Sequence, residues 1–132
     1  MGKVNQLGDL NEVMELCSVD ERLIPCIDFG HLNARTFGSI KAADDYVAIL
    51  DTIRDRLGEE RGRNFHAHFS KIQYTVPGGE KCHLTFDDRE FGPDPDPLTL
   101  LLRERGLTPR IICESAGTQT EDAAAMKALY CR

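Results

Sequence analysis

Apolar positions along the chain fall by turns into helical spacings and short unbroken runs. Leu10, Val13, Met14 and Cys17 recur at helical spacing after Asp9, with Glu12 at the capping-box position, and predict a first helix. Leu23 to Phe29 predicts a buried strand, with Pro25 at its start or on an edge because proline donates no ladder hydrogen bond. Tyr46, Val47, Leu50, Ile53 and Leu57 share one face of a helix predicted from about Ile40 to Leu57, ended by Gly58. Asn64 to Phe69 predicts a short strand. Ile72 to Val76 and Cys82 to Phe86, joined around Pro77-Gly78-Gly79, predict a hairpin. Asp96 with Pro97 opens the next helix, whose apolar face is Leu98, Leu101 and Leu102 and which Gly106 closes. Arg110 to Cys113 is a last strand. Thr118 with Glu121 makes a capping box for a final helix carrying Ala124, Ala125, Met126 and Leu129.

Strands alternating with helices predict parallel βαβ units, hence the α/β class. Three such units cannot close a barrel, which takes eight strands and typically about 250 residues. Either the chain forms a small open sheet or it is a piece of something larger. At 132 residues it forms one domain, residues 1–132, with a core that buries roughly two-thirds of its unfolded surface.

Composition adds exclusions. Apolar residues at 41% and charged residues at 29% are ordinary for a globular protein, and no apolar run reaches the ~20 residues that cross a bilayer. Met1 to Gln6 lacks the apolar core of a signal peptide, so a cytoplasmic protein with no membrane partner is expected. Five cysteines without a CxxC point to neither a zinc knuckle nor a disulfide framework, and Cys26 and Cys113 read as small core residues. A net charge of -6 argues against broad, unassisted binding to a polyanion, although metal ions in a cleft reverse the local sign.

Candidate chemistry sits where parallel α/β folds collect it, at the carboxyl ends of strands. Asp28 with His31 follows the first strand, His66 and His68 lie in the second, and Glu114 ends the last. Carboxylate and imidazole groups converging from neighbouring strands make a divalent-metal site. Each also has a plainer role: Asp28 as a helix cap, Glu114 as a solvated loop residue, His83 as an exposed cross-strand residue, Lys71 as a solvated hairpin residue. His66 and His68 share a face at different depths, so one of them reaches the metal while the other packs nearby. His31 is a ligand or a partner that orients one.

Three segments carry a family resemblance. Ile27-Asp28-Phe29-Gly30-His31-Leu32 resembles the Asp-x-x-His segment of the endonuclease-IV-like branch of the xylose-isomerase-like TIM barrels. Phe65-His66-Ala67-His68-Phe69-Ser70-Lys71 resembles the histidine-bearing strand of that branch, which continues to Ser-Lys. Ile111-Ile112-Cys113-Glu114-Ser115 is similar to its last strand, which ends in a metal-binding Glu. The resemblance implies a partial (β/α)8 barrel, about its last three β/α units with an inserted β-hairpin, forming the C-terminal part of a metal-dependent TIM barrel. It implies metal ligation by Asp28, His66 and Glu114, a further zinc ligand in His31, and His83 as the nearest match to one histidine of an Asp-x-His pair whose Asp has no counterpart in Glu80-Lys81-Cys82-His83.

The leading expectation is a zinc-dependent hydrolase resembling the endonucleases that cut DNA at abasic sites, inactive as a fragment. Glu114 is its candidate catalytic carboxylate and Lys71 its candidate phosphate contact. The alternatives are a sugar isomerase or epimerase using one manganese or magnesium ion on a small sugar, and a non-catalytic α/β interaction module. Self-association is expected in order to cover unpaired strand edges.

Overall fold

The computed structural model describes residues 1–132. Strands β1 (Cys26–Asp28), β2 (His66–Phe69) and β5 (Arg110–Cys113) form a parallel sheet in the order β1-β2-β5. Strands β3 (Ile72–Thr75) and β4 (Gly79–His83) make a separate antiparallel hairpin. The helices are α1 (Leu10–Ser18), α2 (Phe29–Arg35), α3 (Ala43–Leu57), α4 (Glu59–Arg63), α5 (Pro95–Arg105) and α6 (Gln119–Tyr130). None is long and apolar enough to cross a membrane.

The expected barrel fragment is not what forms. Three strands leave a sheet open at both edges, and the hairpin stands apart instead of extending it. The α/β class holds; the barrel assignment is corrected to a small open parallel sheet with an accessory hairpin.

Alternation along the strands decides where the core lies. Ile27, Ala67, Phe69 and Cys113 point to one face and join the main core with Phe29, Tyr46, Leu50, Ile53, Phe65, Leu98, Leu102 and Met126. Cys26, Asp28, His66, His68, Arg110, Ile112 and Glu114 therefore fall on the opposite face by their alternation. No strand residue of that face belongs to the core, and Ile112 is 47% exposed. Parallel sheets are ordinarily covered on both faces; this one carries polar, ligand-type side chains on its open side.

Helix termini follow local chemistry with small departures from the sequence pattern. Asp9 and Glu12 form the anticipated capping box of α1: Glu12 N–H donates to Asp9 Oδ1 and Asp9 N–H to Glu12 Oε2. The α5 cap is Asp94 followed by Pro95, two residues ahead of the Asp96-Pro97 expected for it. The two Asp-Pro steps are the same signal repeated, and the helix takes the earlier. Thr118 is the N-cap of α6, but its hydroxyl donates to Asp122 Oδ2 at 2.9 Å and no capping box forms. That helix buries Asp122 and Met126, leaving Ala124 and Ala125 exposed.

Two short elements position the candidate site. The run Leu23 to Phe29 is strand only from Cys26 to Asp28, because Asp28 turns the chain into α2 by accepting a hydrogen bond from His31 N–H at 2.9 Å. Gly30 then lets α2 press against the chain leaving β2: a Cβ there would lie 2.6 Å from Ser70 O. The hairpin is fastened on both sides, by Ile72 N–H to Gly92 O at 3.0 Å and by Glu80 N–H to Gly2 O at 2.9 Å.

Candidate metal centre

The parallel register sets which histidine meets Asp28. Cys26 pairs with His66 and Asp28 with His68, so β2 brings His68 to the level where β1 ends. Glu114 follows β5 directly, its N–H donating to Phe69 O at 2.9 Å, and its carboxylate reaches back along the same face. His68 Nδ1 lies 3.3 Å from Glu114 Oε1 and 3.7 Å from Asp28 Oδ2. Asp28, His68 and Glu114 each offer a donor atom within 4.8 Å of the others.

The ligand trio implied by the resemblance thus changes in one member. Asp28 and Glu114 stand together as expected, but His68 joins them where His66 was assigned. His66 lies two residues nearer the start of the strand, its ring 5.6 Å from that of His68 in a T-shaped arrangement, in a grouping with Cys26 and His68.

A second ligand group adjoins the first. His31, Glu80 and His83 also bring donor atoms within 4.8 Å of one another. His31 comes from the first turn of α2, Glu80 and His83 from β4, so the hairpin completes this group. Its members are supported from behind. Ser70, 1% exposed, is 2.8 Å from His83 Nδ1, which leaves Nε2 as the free ring atom. Glu80 departs from the Asp-x-His pattern of the sequence, and its longer side chain places a carboxylate beside His31 from a different offset in the hairpin.

Asp28 joins the two groups. One carboxylate oxygen, Oδ1, accepts the α2 backbone N–H of His31, while Oδ2 lies 2.6 Å from His31 Nδ1. His31 Nε2 lies 3.3 Å from Glu80 Oε2. These contacts are close, yet neither ring nitrogen has an aligned hydrogen-bond partner, although both are buried. Short, misaligned donor-acceptor approaches around a buried imidazole are what a shared cation would relieve.

The electrostatics agree in sign. Burial by itself would raise the Asp28 carboxyl, but the hydrogen-bonding contact and charge of His31, its backbone N–H, and His68 outweigh it and hold the carboxyl below its ordinary value. Burial would lower His31, and Asp28 and Glu80 overcome it to raise the ring. Without a metal, Asp28 and Glu80 favour the protonated form of the His31 ring that lies between them.

Lys71 is placed elsewhere. It is 3% exposed, its ammonium donates to Asp88 O at 2.6 Å and pairs with Asp94 Oδ1 at 3.1 Å, and it lines a polar cleft with Asn33, Tyr74 and Arg89. It belongs to neither ligand group, and its burial contrasts with the solvated role open to a hairpin lysine.

Comparison with known proteins adds one relative. The chain is 32% identical over 126 residues to an uncharacterized protein of Methanocaldococcus jannaschii, an alignment covering 96% of this chain and 45% of that protein. It thus spans about half the length of the relative it matches. No family model matches the chain, and no solved structure does, which leaves the barrel expectation without a counterpart.

Proposed function

We propose that this chain carries a two-cation centre for phosphodiester hydrolysis, zinc being the cation that suits mixed imidazole and carboxylate donors. The observation that carries the reading is the pair of three-donor groups, Asp28/His68/Glu114 and His31/Glu80/His83, joined by the 2.6 Å approach of Asp28 to His31. A mononuclear isomerase site would need only the first group; the second is what favours hydrolysis. The resemblance of the segments around Asp28, His66 and Glu114 to those of the endonuclease-IV-like enzymes makes DNA a candidate substrate, with His68 in place of His66 as the histidine of the first group.

Divalent ions held by these two groups would supply water activation and stabilisation of the charge on a phosphoryl group. The protein's own part is to hold the donors. Asp28 is fixed by the α2 N-terminus, His83 by Ser70, and Glu80 by the backbone tie of its strand to Gly2. Glu114, 34% exposed at its side chain, stands at the open side, where a carboxylate can accept a proton from an attacking water.

The test is metal analysis with activity on a duplex containing one abasic site, after loading with zinc. Zinc content is expected to fall by one ion per chain in Glu80→Gln and His83→Ala, with strand cleavage lost in both and in Asp28→Asn. One manganese or magnesium ion, indifferent to Glu80→Gln, would replace this reading with the isomerase one. No bound metal would refute both.

A further inference from the structure

The open face of the sheet holds a third ligand group that neither proposed cation uses in full. Cys26, His66 and His68 each offer a donor atom within 4.8 Å of the other two. The arrangement follows from the ladder: Cys26 on β1 is the direct partner of His66 on β2, and His68 is the next residue of β2 on the same face. All three are partly exposed, so a cation and its remaining water can reach them. Of the other thiols, that of Cys113 is engaged with Met126 and that of Cys82 with Gln73, whereas the Cys26 thiol makes no hydrogen bond. The sequence pattern read Cys26 as a small core residue; its position on the face away from the core leaves it available.

We propose that Cys26, His66 and His68 form a site for a borderline-to-soft divalent cation, zinc or cadmium, separate in character from the carboxylate-rich groups beside it. One thiolate and two imidazoles are three ligands of a tetrahedral zinc site, with the fourth position open to water. Binding forms a metal–Sγ bond and releases the thiol proton to solvent, with no change of oxidation state. His68 is the shared member: its Nδ1 faces Glu114 and Asp28, so occupancy of this site constrains the ring that also serves them. The proposal therefore rests on the sheet register and not on the hydrolase reading, and the two fail separately.

The experiment is titration of the whole chain with Co(II), a spectroscopic stand-in for zinc, followed by zinc displacement. A near-ultraviolet thiolate-to-cobalt charge-transfer band is expected. Cys26→Ser, which changes one atom, abolishes the band while circular dichroism stays native, and His66→Ala weakens cobalt binding by about tenfold or more, at least the loss seen when groups behind metal ligands are removed. Glu80→Gln and Glu114→Gln leave the band in place. Alkylation provides a second measurement: zinc should protect Cys26, located by peptide mapping, while Cys82 and Cys131 react. Absence of the band, its survival in Cys26→Ser, or protection mapped to Cys82 instead would each overturn the site.

Discussion

Gly2 has no side chain where none fits. A Cβ at this position would lie 2.2 Å from Glu80 Oε2 and 2.9 Å from His31 Cδ2, so the backbone of the N-terminal segment rests directly on the second ligand group. Gly2→Ala is expected to push Glu80 off His31 and weaken binding of the second zinc by about tenfold or more, comparable to removing a group that orients a ligand. Isothermal titration resolving the separate binding events checks this, and an unchanged set of events would contradict it. A different residue-scale consequence concerns Cys113. Burial, reinforced by Asp122, pushes its thiol up to about 11, and only the thiolate reacts. At pH 8 iodoacetamide should therefore modify exposed Cys82 and Cys131 and spare Cys113, whose labelling appears only as the pH approaches about 11 or when the chain unfolds. Intact-mass analysis over a pH series reads the outcome. Modification of Cys113 at pH 8 at the rate of the exposed thiols would contradict it.

Elements were legible in the sequence wherever one periodicity ran its full course. The capping box at Asp9 and Glu12, the end of α3 at Gly58 and the strand Arg110–Cys113 all stand where the pattern put them. Helix α2 was not legible, because Phe29 continues the apolar run of β1 and only the turn of Asp28 onto His31 N–H separates strand from helix. The choice between His66 and His68 was hidden for a related reason. A slip of two residues keeps both rings on the same face, so alternation cannot tell the registers apart, whereas a slip of one would have been visible. The pairing that decides it is held by α2 as well as by the sheet. Gly30→Ala puts a methyl 2.6 Å from Ser70 O, and overpacking of this kind costs about 1–3 kcal/mol. The denaturant midpoint should fall accordingly, and zinc binding at His83, which Ser70 orients, should weaken with it. A midpoint unchanged from wild type would show that α2 moves away freely and does not set the site.

At the scale of the molecule, the α/β class was legible because alternating strand and helix patterns leave few other solutions. Closure was not, since the same local sequence of strands, turns and helices serves open sheets and barrels alike, and only the number and pairing of strands separates them. The sheet that forms has strands β1 and β5 as unpaired edges and a second face that adds no strand residue to the core. Apolar side chains gather along these margins: Leu23 and Ile24 are 45% and 58% exposed where the chain enters β1, and Ile112 is 47% exposed in the middle of β5. Unpaired edges with exposed apolar residues favour pairing with another strand. A second copy has complementary charge to offer: two β5 strands meeting antiparallel about Ile112 would set Arg110 of one opposite Glu114 of the other, each an opposite-charge cross-strand pair. Concentration-dependent dimerisation is accordingly expected in sedimentation velocity, and Ile112→Lys, which places like charges face to face at the centre of that pairing, should shift the population to monomer at every concentration. A wild-type chain that stays monomeric across the accessible range would contradict the pairing. A dimer untouched by Ile112→Lys would move the interface away from β5, towards the apolar margin at Leu23 and Ile24 beside β1.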